Sequence, residues 1–311
     1  MTSCAIIISH FESLPFLRTC LRMVKKYKHP DIEQQIIIAD QSRDDYEFIF
    51  GEEFANVTFV HTEPHYSGYG IDYLLHNDLI KTDYIAQLHV DAFPISKQWL
   101  YMPIKLIEEN NYSFVGQLQF ISKETDTIYP PGSFFAMAQC YNVARTSTYL
   151  EMSLEAGFTR FHERKKIPDL RFYYNDWRSW AKHDYEHRGS DDDVVAFHWQ
   201  DKYRQDDKLG LAISGYIEPS YARIIDDVVF HFCSAREAIG VMDKMPVKYQ
   251  EYTQKIKENY SDELVEEMIA LAKANRPPNM EILSRNHWNG ITKQSSPTSD
   301  ELNKKIEALK Q

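Results

Sequence analysis

Over the first hundred residues, short apolar β-branched runs alternate with stretches whose apolar residues recur at helical spacing, and few folds accept that alternation. Ala5-Ile-Ile-Ile-Ser9 reads as a strand buried on both faces, and Gln35-Ile-Ile-Ile-Ala-Asp40 repeats the pattern and ends in an acid. Val57-Thr-Phe-Val60 is a third strand and Tyr84–Leu88 a fourth. Between them, Ser13 and Pro15 signal a helix start, and Phe16, Leu17, Cys20, Leu21 and Val24 form one apolar face. Ser67-Gly-Tyr-Gly70 precedes a second helix with Ile71, Leu74, Leu75 and Leu79 on one face. Such alternation predicts a parallel, doubly wound α/β sheet. In sheets of this kind ligands bind outside the carboxyl ends of the strands. That rule selects His10–Glu12, Asp40–Ser42, the loop Glu63–Gly70 and His89–Asp91, and it predicts that they converge on one cleft.

Residues 112–235 are less regular. Strand-like runs occur at Ser113–Phe120, Ser133–Met137, Val194–His198 and Val228–Phe232, with a helical piece over Arg145–Ala156. From about residue 245 charged helices dominate. Ser261-Asp-Glu opens one with Leu264, Val265, Met268, Ile269 and Ala272 as its stripe, and Ser299-Asp-Glu opens another with Leu302, Ile306 and Leu309. The expected organisation is a main domain over residues 1–243, in two halves, 1–100 and 101–243. A helical extension over 244–311 would pack on it, form a dimer surface or contact an acceptor.

Composition narrows the function classes. The chain has 311 residues, enough for a large core, and a net charge of −11, which argues against a broad grip on nucleic acid. Its 4 cysteines are widely spaced with no C-x-x-C pair, as in reduced proteins. No run approaches the ~20 apolar residues that span a bilayer. With the first strand starting near residue 4, a cytoplasmic location is expected.

The stretch Tyr84-Ile-Ala-Gln-Leu-His-Val-Asp-Ala-Phe-Pro94 carries the most chemistry. A buried strand delivers His89 and Asp91 at its tip, and alternation along an extended chain would put both on one side, which suits a divalent metal. The plainer alternative is that His89 caps the strand.

Taken in order, these segments resemble glycosyltransferase family 2, a large group of GT-A enzymes, through about residue 240. Ala5–Glu12 is similar to the family's first strand and nucleotide-binding turn, with Ser9, His10 and Glu12. Ala39-Asp-Gln-Ser42 resembles its Asp-Asp-Gly-Ser motif, in which an acid (here Asp40) reads the base. Gly68–Asp72, with Gly70, resembles the helix start beside the donor. The thirteen residues from Leu88 to Leu100 resemble the Leu-Asp-x-Asp block with its proline and Trp-Leu pair, His89 standing in for the first aspartate. Gly132-Ser133-Phe134 resembles the segment lining the sugar and acceptor pocket. Tyr174-Asn-Asp-Trp177 after Ala156-Gly-Phe158 resembles the Glu-Asp region of inverting members, which makes Asp176 the candidate base and Trp177 a substrate contact. Val228–Phe232 resembles the late strand whose histidine, here His231, contacts metal or diphosphate.

The resemblance implies a GT-A (Rossmann-like), mostly parallel central sheet flanked by helices, with residues 1–100 as its nucleotide-binding half and 101–243 as its acceptor half. It also implies a metal-dependent, inverting glycosyltransferase that takes a nucleotide-sugar, expected to be a UDP-sugar. The expected metal set is Asp91, His231 and His89, with Mn²⁺ or Mg²⁺ as cofactor; two imidazoles tilt the set towards Mn²⁺. The acceptor is a hydroxyl of a glycan or of an anionic molecule such as DNA with a modified base, which the basic run Arg160–Lys166 and Arg171 would face. Otherwise that run is a solvated loop. Asp176 has a structural alternative as a helix-start acid, Asp40 as a turn residue, and Gly68 and Gly70 as turn formers. Asp191-Asp-Asp193 reads as a solvated loop, and Trp99 as core beneath the metal loop. Two competing functions are a nucleotidyltransferase, whose Gly-rich basic loop Ser9–Ser13 lacks, and a non-catalytic nucleotide-sugar or glycan-binding protein on a decayed scaffold.

Overall fold

The computed structural model describes residues 1–11, 13–42, 55–62, 68–110, 112, 114–121, 134–150, 211–212, 215–217, 222–225, 227–232, 262–274, 304 and 308–309. The chain runs β1 (Thr2–His10), α1 (Leu14–Lys26), β2 (Ile32–Asp40), β3 (Val57–His61), α2 (Gly68–His76), β4 (Tyr84–His89), β5 (Ala92–Pro94) and α3 (Gln98–Asn110). It continues through β6 (Phe114–Ile121), β7 (Phe134–Arg145), β8 (Leu211–Ala212), β9 (Gly215–Ile217), β10 (Ala222–Ile225), β11 (Val229–Phe232) and α4 (Asp262–Ala274).

Seven strands form one sheet in the order β3-β2-β1-β4-β7-β6-β8. The first four run parallel, β7 lies antiparallel between β4 and β6, and β8 joins β6 in parallel. A second sheet, β5-β11-β10-β9, is antiparallel. The mixed, mostly parallel α/β architecture read from the alternation is therefore the fold.

Strand alternation sorts the side chains between two layers. In β1, Cys4, Ile6 and Ile8 face one hydrophobic cluster, and Ala5 and Ile7 face another. The first cluster holds Phe16, Leu17, Cys20, Leu21 and Val24 of α1 together with Trp99, Leu100 and Ile104 of α3. The second holds Ile71, Leu74 and Leu75 of α2. Helices thus cover both faces of the parallel strands. Trp99 is fully buried in this core, as read from the sequence.

Polar groups inside the core fix register. Gln87 and Asn142 oppose each other across β4 and β7, and Asn142 Nδ2 donates to Gln87 Oε1 at 3.2 Å. The buried Tyr149 hydroxyl donates to Asn142 Oδ1 at 2.5 Å. A one-residue slip would strand all three polar groups in an apolar layer, which costs more than the bonds themselves contribute.

Two local details differ from the sequence reading. Leu79 is 40% exposed and lies beyond the end of α2, not on its apolar face. The helix stops because Asp78 adopts a left-handed conformation (φ 55°), with Leu79 N–H donating to the Leu74 carbonyl at 3.0 Å and Asp78 N–H to the Leu75 carbonyl at 3.2 Å. That paired pattern is a Schellman closure. Gly70 carries a packing requirement that the sequence does not show: a Cβ there would sit 2.5 Å from the Ala39 Cβ of β2.

At the far end of the chain, α4 docks on the main core. Ile269 is buried in the same cluster as α1 and α3, Leu309 packs against it, and Lys26 of α1 pairs with Glu266 at 2.5 Å. Among the described residues, no helix is long and apolar enough to cross a membrane.

Candidate active site at the carboxyl edge of the sheet

The parallel strands β3, β2, β1 and β4 all end at one edge, and their last residues are His61, Asp40, His10 and His89. Register places them side by side: Asp40 opposite His61, His10 opposite Asp40, and Ser9 opposite His89. Backbone pairing continues past the strand ends, where Gln41 N–H donates to the His10 carbonyl at 2.9 Å and Thr62 N–H to the Asp40 carbonyl at 2.8 Å. The edge is held by main-chain bonds, so its side chains start from fixed positions.

Asp40 is buried at the centre of a polar cluster. Its Oδ1 lies 2.8 Å from His10 Nδ1 and accepts from Ser42 N–H at 3.0 Å, while Oδ2 lies 3.3 Å from His61 Nδ1. Burial by itself would raise the Asp40 pKa. Hydrogen bonds from His10 and from the side chain and backbone N–H of Ser42 win and bring it to about 2. An ionised carboxylate only accepts, so the Nδ1 of each histidine carries a proton that it donates to Asp40. His10 is further fixed by Ser13, whose N–H donates to His10 Nε2 at 3.2 Å. That bond ties the end of β1 to the start of α1, where Ser13 caps the helix without a side-chain bond of its own.

The second group forms where β4 gives way to β5. The strand ends at His89, Val90 and Asp91 form a turn, and Ala92 starts β5. The expectation that alternation along one strand aligns His89 with Asp91 therefore does not apply; the turn brings them together. His231 arrives from the other sheet, because β11 pairs with β5 and sets His231 opposite Ala92. Ligand atoms of His89, Asp91 and His231 all lie within 4.8 Å of one another. Asp91 and His231 are buried, with His231 Nε2 3.4 Å from Asp91 Oδ1, and the two imidazoles meet edge to face at 6.1 Å. Two imidazole nitrogens and a carboxylate oxygen make a donor set that fits a divalent transition ion. Beneath the turn, Cys20 donates from its thiol to the Ala92 carbonyl at 3.4 Å. Burial, and secondarily the Asp91 charge, push that thiol well above the ordinary cysteine range, so it supports the turn as an unreactive group.

Of the residues singled out in the sequence, Ser9, His10, Asp40, His89, Asp91 and His231 come together at this edge. Gly68, Gly70 and Asp72 lie in α2, and Phe134 opens β7. Glu12, Gly132, Ser133, Asp176 and Trp177 lie outside the described residues, as do the basic run 160–166, Arg171 and Asp191–Asp193. His61 was not anticipated. The only signal in the sequence is a polar residue directly after the β3 run, and its significance depends on the β2–β3 register.

The model of a family described as "Glycosyl transferase family 2" matches residues 4–179, more than half of the chain. The chain belongs to glycosyltransferase family 2. The family match and the sheet order above together make this a GT-A fold, and the polar edge lies at the carboxyl ends of the parallel strands, where open α/β sheets bind ligands. Among solved structures, S. aureus TarS 1–349 is similar at 14% identity and a TM-score of 0.37, covering 50% of this chain and 49% of that one. The mannosyltransferase PcManGT from Pyrobaculum calidifontis, in complex with GDP-Man and Mn²⁺, shows 10% identity and a TM-score of 0.37 over 50% of this chain and 46% of its own. Galactosyltransferase LgtC, with donor and acceptor sugar analogues, shows 12% and 0.35 over 49% and 63%. The overlap with the first two spans about half the length of each. No curated protein matches the sequence.

Proposed function

We propose that this family 2 chain is a metal-dependent glycosyltransferase that moves a sugar from a UDP-sugar to a hydroxyl-bearing acceptor with inversion. The observation that carries the reading is the convergence of His89, Asp91 and His231 at the carboxyl edge of the parallel strands, next to the Asp40 cluster. A nucleotide diphosphate carries negative charge at one end and a hydrogen-bonding nucleoside at the other, and the edge offers a group for each. His89, Asp91 and His231 would hold the ion; when bound, a divalent ion stabilises charge on the departing diphosphate. The Asp40 side of the edge would hold the nucleoside.

In the proposed reaction the acceptor oxygen forms a bond to the anomeric carbon as the bond from that carbon to the diphosphate breaks. The acceptor proton passes to a base, because a neutral alcohol is a weak nucleophile. Asp176 is the proposed base, on its place in a segment resembling the family's acidic pair. Residues 244–311 are proposed as an extension of the transferase domain, with α4 docked on its core.

The test is a calorimetric titration with UDP, and a hydrolysis assay with common UDP-sugars, each with and without Mn²⁺. Binding and turnover that rise with Mn²⁺ are expected. Absence of UDP binding together with absence of metal-stimulated turnover for any donor would sink the proposal. With a known acceptor, full transfer activity in Asp176→Asn would remove the base assignment alone.

A further inference from the structure

In the resemblance the acid after the second strand reads the nucleotide base, and here Asp40 is largely occupied within the protein. Its side chain is 4% exposed, and both oxygens are already engaged, Oδ1 by His10 and Ser42 and Oδ2 by His61. His61, by contrast, has a side chain 58% exposed at the end of β3. An ionised carboxylate accepts only, so the proton on the facing nitrogen of His61 is Nδ1–H, and in the neutral imidazole the opposite nitrogen, Nε2, is an acceptor. Among the described residues nothing bonds to Nε2.

Position adds a second argument. The order β3-β2-β1-β4 sets His61 three strands from His89, about 14 Å at the usual spacing between strands. A nucleoside diphosphate with its phosphates at His89, Asp91 and His231 would run along the edge past β1 and β2 and present its nucleoside to β3.

We propose that His61 is a nucleoside-recognition residue: Asp40 fixes its Nδ1–H, and Nε2 accepts a hydrogen bond from the nucleoside half of the donor. This rests on the nucleotide-sugar reading above. Two groups of a nucleoside supply that hydrogen, the imide N–H of a uracil or guanine base and the ribose hydroxyls. Asp40 is then a positioning residue that acts through His61.

The experiment is calorimetric titration of the full chain, its His61→Ala variant and its His61→Asn variant with UDP and with GDP in saturating Mn²⁺. The nucleotide that binds is then repeated as its base-N-methylated and 2′,3′-dideoxy forms. Both variants should bind the nucleotide about five- to tenfold more weakly, the scale of one lost hydrogen bond, with Mn²⁺ affinity unchanged. Asn keeps a donor for Asp40 but offers no acceptor where Nε2 stood, so it separates recognition from support of Asp40. Loss of the wild-type advantage on base methylation assigns the contact to the imide, and its loss on removing the hydroxyls assigns it to the ribose. Equal binding by wild type and His61→Ala overturns the inference, as does wild-type affinity in His61→Asn or an advantage that survives both analogues. If neither nucleotide binds the wild type, the transferase reading fails and takes this inference with it; if one binds and the variants match, only the role of His61 falls.

Discussion

At position 89 an imidazole stands two residues before the Asp91 carboxylate, and His231 supplies a second imidazole through the β5–β11 pairing. Mg²⁺ favours oxygen ligands, whereas imidazole suits transition ions. His89→Asp should therefore lower the ratio of Mn²⁺ to Mg²⁺ affinity on the order of tenfold, the scale of one altered ligand environment. Calorimetry with each ion alone checks this, and an unchanged ratio would take His89 out of the ion's ligands. Asp40 makes a prediction about stability. Its folded pKa is depressed to about 2 from 3.8, so its contribution is fully present above pH 3.8 and is lost as pH falls through about 2. The shift corresponds to about 2 kcal/mol. Urea unfolding of wild type and Asp40→Asn should show a stability gap at pH 6 that narrows between pH 4 and pH 2. A gap independent of pH would mean that the carboxylate charge is not what the cluster stabilises.

Elements are set by their ends as much as by their faces. The helix α2 closes on Asp78 in a left-handed conformation that glycine adopts without a steric penalty. Asp78→Gly should leave the Schellman bonds in place and stabilise the protein by about 0.5–1 kcal/mol, read as a higher urea midpoint at constant slope. A fall in stability would show that the side chain of Asp78 contributes more than its conformation costs. The same helix shows how a residue's significance can be legible while its reason is not. In the sequence Gly70 reads as a turn or donor-loop glycine, and the structure adds a tight contact with the Ala39 Cβ of the neighbouring strand. That contact joins residues 31 positions apart, and no local pattern encodes it.

On the scale of the whole molecule, α4 packs into the main core through Ile269. Ile269 is buried against the cluster built from α1, β1, β4 and α3. Ile269→Ala should therefore cost about 2–4 kcal/mol of the stability of the main domain. Near-UV circular dichroism of aromatic residues in that domain should follow the same shifted transition as the helical signal. Two separate transitions, with only one of them moved, would instead show that α4 unfolds by itself.

Local pattern was enough for the elements at the front of the chain. Runs such as Ile6-Ile7-Ile8 and Ile36-Ile37-Ile38 have no polar face, so they must be buried on both sides, and helices of matching amphipathicity between them leave a parallel sheet as the arrangement that satisfies all of it. The rule that ligands meet the carboxyl ends of strands then drew His10, Asp40, His89 and Asp91 to one edge before any contact was known. Likeness in motif order added His231, which no periodicity singled out. What the sequence could not supply was set by contacts between distant segments. The β2–β3 register brought His61 to Asp40, the turn after β4 rather than strand alternation aligned His89 with Asp91, and the β5–β11 pairing carried His231 to them across some 140 positions. Strands and helices follow from neighbours in the chain; which histidine faces which carboxylate follows from pairing across the sheets, and hydrogen bonds formed at that distance leave no periodic trace in the sequence.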